Sequence, residues 1–217
     1  MWRREELTKI AELCLAHDVI MISDEIHSDI IMKGYQHTML SSLSEEIEQH
    51  TITCTAASKT FNIAGQCVSN IIIPNDEWRA AFIKTKESVG IKNVSTLGLL
   101  TTQVAYDKGE DCLEAFLQLV AHNHQLVKTF FKTYYPKVNI FDLEGTYLQW
   151  VDFRALGFNP AELETFLDKE ALDFFDQGYI FGDNGNGFER INLAASSDSI
   201  KDMLQRFKEA MDHHISK

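Results

Sequence analysis

Lys59 stands where an apolar run gives way to small and polar residues, in Thr55-Ala56-Ala57-Ser58-Lys59-Thr60-Phe61-Asn62-Ile63-Ala64-Gly65. Thirty-five residues earlier, a second apolar run, Val19-Ile20-Met21-Ile22, ends in Ser23-Asp24-Glu25-Ile26-His27. An amine at one strand end can form an imine with an aldehyde, and a carboxylate at another can keep a nearby nitrogen protonated. That pair suits pyridoxal 5′-phosphate, which takes a lysine at its aldehyde and an acid at its pyridine nitrogen.

Each candidate also has an ordinary reading. Lysine is usually a surface residue, yet the small residues around Lys59, with Gly65, would let the backbone approach a ligand closely. Asp24 falls just past an apolar run, at the carboxyl end of a strand, where open α/β sheets bind ligands. Alternatively, Ser23-Asp24-Glu25 starts a helix. His27 could face the cofactor's phenolic oxygen or be a satisfied buried histidine. Ser58 could donate to the cofactor phosphate or close a local turn. Arg190 lies in Gly187-Phe188-Glu189-Arg190-Ile191-Asn192-Leu193. Its parallel donors match the α-carboxylate of an amino acid, and a surface pairing with Glu189 is the alternative.

The elements that must position these groups alternate in the first half. Hydrophobic periodicity predicts a helix over 3–16, strands over 19–23, 51–55 and 69–73, and a helix over 77–89. A helix capped by Ser95 then runs to Lys108, and another spans 110–133. Short continuous apolar runs predict parallel strands covered on both faces. After Tyr134-Tyr135-Pro136 the style changes: a strand over 146–153, a helix over 160–170, and short strands near 172–175 and 188–193. A last helix, capped by Ser197 or Asp198, runs to about 213. The division is expected near residue 125, giving domains over 1–125 and 126–217.

The 217 residues are 45% hydrophobic and 24% charged, enough for a real core. A net charge of -12 with no basic stripe argues against a nucleic-acid partner. Cys14, Cys54, Cys67 and Cys112 are scattered; Cys14, Cys54 and Cys112 read as reduced core thiols of a cytoplasmic protein. The start, Met1-Trp2-Arg3-Arg4-Glu5-Glu6, leads into an amphipathic helix rather than a signal peptide. No apolar run reaches the roughly 18 residues of a membrane span. His122-Asn123-His124 and His213-His214 lack companion ligands at metal-binding spacing, so no metal site is expected.

Four motifs occur in order: Ser-Asp-Glu-Ile-His-Ser-Asp, Ala-Ser-Lys-Thr-Phe-Asn-Ile-Ala-Gly, Glu-Gly-Thr-Tyr-Leu-Gln-Trp-Val-Asp-Phe and Phe-Glu-Arg-Ile-Asn-Leu-Ala. Together they resemble the fold-type I pyridoxal-phosphate enzymes, in the cystathionine β-lyase/C–S lyase branch of the class I/II aminotransferases. The resemblance implies an α/β fold: the later part of the large domain, with a mixed, mostly parallel sheet, and a C-terminal α+β small domain. It implies that Lys59 bonds the cofactor, Asp24 pairs with its pyridine nitrogen, His27 lies on the phenolic-oxygen side, Ser58 lies near the phosphate and Arg190 grips the substrate carboxylate. Two departures from common aminotransferases favour the lyase branch: Cys67 where they place a phosphate-binding arginine, and His27 where they place a tyrosine.

The implied reaction is α,β-elimination of cystathionine or a related cysteine S-conjugate, a small-molecule amino-acid substrate, to pyruvate, ammonia and a thiol. The alternatives are an aminotransferase and a non-catalytic partner-binding or regulatory domain. Family members carry a glycine-containing phosphate cup, a ring-stacking aromatic and an Asn-Pro loop before the segment that Met1 begins. The chain is therefore expected to be a truncated, weakly active or inactive fragment of an enzyme that is a homodimer at full length.

Overall fold

A computed structural model describes residues 1–91 and 93–216. The chain divides into two compact units, one ending at Glu114 and the other starting at Ala115.

The first unit begins with α1 (Arg4–Ala16), whose Leu7 and Ala11 lie one helical turn apart and are both buried. They join Met21, Leu40 and Ile47 in one apolar cluster. Next come β1 (Met21–Asp24), α2 (Glu45–Gln49) and β2 (Thr51–Thr55). The five-residue α2 went unread because it offers one buried apolar residue, Ile47, and too few residues to show a period. Then follow α3 (Ala57–Thr60), β3 (Asn70–Ile72), α4 (Asp76–Ser88) and α5 (Thr96–Lys108). Asn75 caps α4 by accepting from the Trp78 N–H, and Ser95 caps α5 by accepting from the Gly98 N–H.

The sheet order is β1-β2-β3. β1 runs parallel to β2, and β3 runs antiparallel to it. The sheet is therefore mixed, as the resemblance implies, and the run read at 69–73 is its antiparallel member because the chain turns back on itself after β2. Asn62 (φ 55°) and Cys67 (φ 53°) adopt left-handed backbone, and four-residue α3 is too short to carry the chain back along the sheet. Coverage on both faces fails: Ile22 is 71% exposed and Ile72 is 49% exposed.

α6 (Glu110–Tyr134) starts within the first unit, and its part in the second unit buries Val120, Asn123, His124, Val127 and Phe131 along one face. It is followed by β4 (Asn139–Ile140), β5 (Leu148–Asp152) and α7 (Pro160–Thr165), which Asn159 and Glu162 start with a reciprocal capping box. A π-helical turn, Phe166–Ala171, prolongs α7 until Leu172 turns left-handed at φ 55°. That extension displaces the strand expected near 172–175 to β6 (Asp176–Gln177). Then come β7 (Phe188–Asn192) and α8 (Ser197–Ile215), capped by Ser196 rather than by Ser197 or Asp198.

The four strands form an antiparallel sheet in the order β4-β5-β7-β6. Strand alternation puts Gln149, Val151, Glu189 and Ile191 on its buried face. Phe131, Phe153, Phe166 and Phe207 fill the core; the Phe207 ring centre lies 5.3 Å from that of Phe131 and 5.7 Å from that of Phe153. Asn123 is wholly buried and donates to the carbonyls of Leu193 and Ala195, both at 2.9 Å, fixing α6 to the strand that leads into α8.

Cys14 and Cys54 are half-buried and free, as read from sequence. Cys112 is exposed, so the expectation of a core thiol there is corrected: it sits in the first turn of α6, ahead of the residues that the helix buries.

Candidate active site

β1 and β2 end side by side. Their register pairs Asp24 with Cys54, so Asp24 closes β1 one residue before β2 reaches its last residue, Thr55. Both carboxyl ends therefore open on the same edge, the ligand-binding edge of an open α/β sheet.

At the end of β1, consecutive acids point in opposite directions. Glu25 turns inward and is 7% exposed; its Oε1 accepts from the Ser23 hydroxyl at 2.8 Å, and its Oε2 lies 2.6 Å from His37 Nε2. Its N–H donates to the Cys54 carbonyl at 2.8 Å, extending the ladder past Asp24. Asp24 is exposed, and its Oδ1 accepts from the Ile26 N–H at 3.2 Å. Residues 26–29 form turns, so no helix starts at Asp24. His27 is half-buried within these turns.

At the end of β2, Ala56 stays extended (φ -158°, ψ 144°) before the chain coils into α3. Lys59 thus lies in a single helical turn, held by the Phe61 N–H bonding to the Ala57 carbonyl at 3.0 Å. Ala56, Ala57 and Thr60 are buried, Ser58 is half-buried, and Lys59 is exposed. The turn's small residues pack it down on the sheet and leave the lysine projecting from it. A side chain at Gly65 would meet only open space.

Electrostatics link the two strand ends. Burial, and then the Asp24 carboxylate, push the Cys54 thiol up from its ordinary pKa. An exposed amine, an exposed carboxylate acting across adjacent strand ends and a hydroxyl at Ser58 form a donor set that fits pyridoxal phosphate.

Arg190 belongs to the second unit. β7 sets it opposite Trp150 of β5 and Asp176 of β6. Its Nε donates to Asp176 Oδ2 at 2.9 Å, its Nη2 lies 2.8 Å from the same oxygen, and its guanidinium lies 4.7 Å from the Phe181 ring centre. The sequence alternative, a pairing with Glu189, is overturned. Neighbours in a strand face opposite sides, and Glu189 is buried at 3% exposure.

Sequence reasoning missed the Glu25–His37 contact and Asp176. It also missed Asp29, whose Oδ2 accepts from the Thr60 hydroxyl at 2.9 Å. The only visible signal was the presence of three acids in Ser-Asp-Glu-Ile-His-Ser-Asp, which says nothing of a partner 31 residues away.

No helix among the described residues is long and apolar enough to cross a membrane. The chain is 38% identical over 210 residues to the cystathionine β-lyase PatB of Bacillus subtilis (strain 168), covering 97% of this chain and 54% of that protein. The crystal structure of cystalysin from Treponema denticola, which contains a pyridoxal 5′-phosphate cofactor, superposes with a TM-score of 0.95 at 44% identity, covering 98% of this chain and 54% of that one. The pyridoxal-phosphate-bound C–S lyase from Staphylococcus hominis gives a TM-score of 0.87 at 31% identity, covering 96% and 53%. The chain thus spans about half the length of the relatives it matches. Residues 1–207 match the model of the aminotransferase class I and II family, and the chain belongs to that family.

Proposed function

We propose that this chain carries the lysine-bearing part of a pyridoxal-phosphate-dependent carbon–sulfur β-lyase that acts on cystathionine or a related cysteine S-conjugate. The observation that carries the reading is that Asp24 ends β1 and Lys59 lies in the turn just after β2, its parallel neighbour. The names of the relatives, cystathionine β-lyase and C–S lyase, support the reaction class.

When bound, pyridoxal phosphate withdraws electrons from the substrate Cα. Lys59 Nζ would hold the cofactor through its aldehyde carbon and, once displaced by the substrate amine, would accept the Cα proton. Asp24 would accept a hydrogen bond from the pyridine nitrogen and keep it protonated. Ile26 N–H already engages Oδ1, so Oδ2 is the oxygen left for this contact. Ser58 would donate to the phosphate, and His27 would lie on the phenolic-oxygen side. Arg190 would receive the substrate carboxylate on the guanidinium edge that Asp176 leaves open.

In this reading residues 1–125 are part of the cofactor-binding large domain and residues 126–217 are the small domain. The whole protein works as a cytoplasmic homodimer, a proposal that the four free cysteines and the exposed Ile22, Leu97 and Leu100 support. Because Asp24 and Lys59 are both exposed, these 217 residues alone would hold the cofactor weakly.

The family name favours one second reading, an aminotransferase. Incubating the chain and its Lys59→Ala variant with pyridoxal phosphate and a cysteine S-conjugate separates the two. Pyruvate and thiol formed in equal amounts, and lost in the variant, support the lyase. A 2-oxo acid that retains the sulfur substituent, formed only with an added 2-oxo-acid acceptor, supports transamination. Turnover that survives Lys59→Ala overturns both.

A further inference from the structure

We propose that Asp29 is a positioning residue for Lys59, tying the turn that bears the lysine to the segment that follows Asp24. The inference rests on the reading of Lys59 as the cofactor lysine.

α3 cannot hold itself. It has four residues, and an isolated turn fixes several dihedral angles in return for very few hydrogen bonds. Something outside the turn must keep Lys59 in one place. The tie is at the next residue: Thr60 is 4% exposed, and its hydroxyl donates to Asp29 Oδ2 at 2.9 Å. A buried hydroxyl needs that acceptor, so the bond is strongly favoured over an open turn.

Asp29 is itself held on the other side. The segment between Asp24 and Asp29 is a run of tight turns, with Ser28 N–H on the Glu25 carbonyl and Ile30 N–H on the His27 carbonyl, both at 3.0 Å. Glu25 pins the start of that run through Ser23 and His37, and buried Ile30 pins its end. The path from Asp24 to Lys59 thus passes through fixed groups only: the Glu25 anchor, the turns, Asp29, Thr60 and the lysine.

α5 closes the arrangement from a third direction. The Tyr106 hydroxyl reaches Asp29 Oδ2 at 3.4 Å, and the Tyr106 ring meets Phe61 edge-on at 5.6 Å. Phe61 sits so close to Gly109 that a side chain there would collide with its ring. Burial first, and then the Asp29 charge, hold the Tyr106 phenol above its ordinary pKa.

The test uses the full chain, its Asp29→Ala, Thr60→Val and Thr60→Ser variants, and two readouts. Amide hydrogen exchange at Phe61 and Ile63 should speed up roughly tenfold in Asp29→Ala and Thr60→Val, with Ile52 and Cys54 in β2 unchanged. Thr60→Ser, which keeps the hydroxyl, should exchange like the parent. In the second readout, pyridoxal phosphate is trapped on lysines with borohydride, and the rate at Lys59 is divided by that at exposed Lys33. The ratio should fall several-fold in Asp29→Ala and Thr60→Val and recover in Thr60→Ser.

Unchanged exchange at Phe61 overturns the tie. Faster exchange with an unchanged labelling ratio overturns the positioning role while leaving the cofactor reading intact. A parent chain that labels Lys59 no faster than Lys33 overturns the cofactor reading and the positioning role with it. If Asp29→Ala does not fold, Thr60→Val against Thr60→Ser decides the same question.

Discussion

Asp24 and Cys54 are register partners in the parallel β1–β2 ladder, and the carboxylate adds to burial in raising the pKa of the Cys54 thiol. Replacing Asp24 with Asn removes that charge and leaves the burial, so the thiol should become more acidic. At neutral pH, alkylation of Cys54 should then run a few-fold faster, roughly in proportion to its thiolate fraction. Cys14, half-buried in α1, is the internal control and should not change. Equal Cys54 rates in the two proteins would place the Asp24 charge elsewhere.

A second prediction concerns pH and the second unit. Burial, followed by the charges of Glu164, Asp168 and Asp176, pushes the Glu189 carboxyl up from 4.5 to about 8. Glu189 Oε2 and Asp168 Oδ1 are buried without hydrogen-bond partners among the described residues. The folded chain therefore holds the Glu189 proton more tightly than the unfolded chain does. That contribution is complete below the unfolded value and is lost as pH rises through about 8. Asp173, raised to about 6 by burial despite the opposing effect of Arg206, adds a smaller loss of the same sign at lower pH. Denaturant titrations of the second unit from pH 5 to pH 9 should show stability falling by a few kcal/mol. Glu189→Gln, neutral throughout, should flatten much of that slope; an equally steep slope in the variant would assign it to other groups.

Packing makes a third prediction. Phe207 is fully buried among Phe131, Phe153 and Phe166, so Phe207→Ala should cost about 3–5 kcal/mol. Near-ultraviolet circular dichroism should report the loss. Exchange at the β1–β2 amides should be unaffected, because the cavity opens inside the other unit.

The proposed role of Arg190 can be read from steady-state kinetics of an active assembly. Arg190→Ala should raise KM for the amino-acid substrate by roughly ten- to a hundredfold, the range for losing a charge-assisted bidentate pair. Asp176→Ala leaves the guanidinium in place without its orienting partner, so a smaller rise is expected. An unchanged KM in Arg190→Ala would show that another group binds the substrate carboxylate.

Sequence reasoning placed elements where local chemistry is strong. The strand expected over 51–55 is β2 residue for residue, and Ser95 caps α5 as its side chain and spacing require. Lys59 and Asp24 were legible because each marks an abrupt end to an apolar run. Direction and partnership were not legible. The reversal of β3 depends on left-handed backbone at Asn62 and Cys67, two residue types with quite different tolerance for it. The choice of Asp176 over Glu189 as the partner of Arg190 follows from β6–β7 register, which is set by a π-helical turn and loop that carry no periodic signal. The Asp29–Thr60 bond joins residues 31 apart through side chains alone.

The central claim is that Lys59 is the residue that bonds the cofactor. Borohydride trapping of pyridoxal phosphate on the intact chain, followed by peptide mapping, tests it most directly. The account predicts that the reduced adduct forms on Lys59 in preference to the other exposed lysines, and that Asp24→Ala weakens that preference. Label spread evenly over the exposed lysines, or concentrated on a different one, would contradict it.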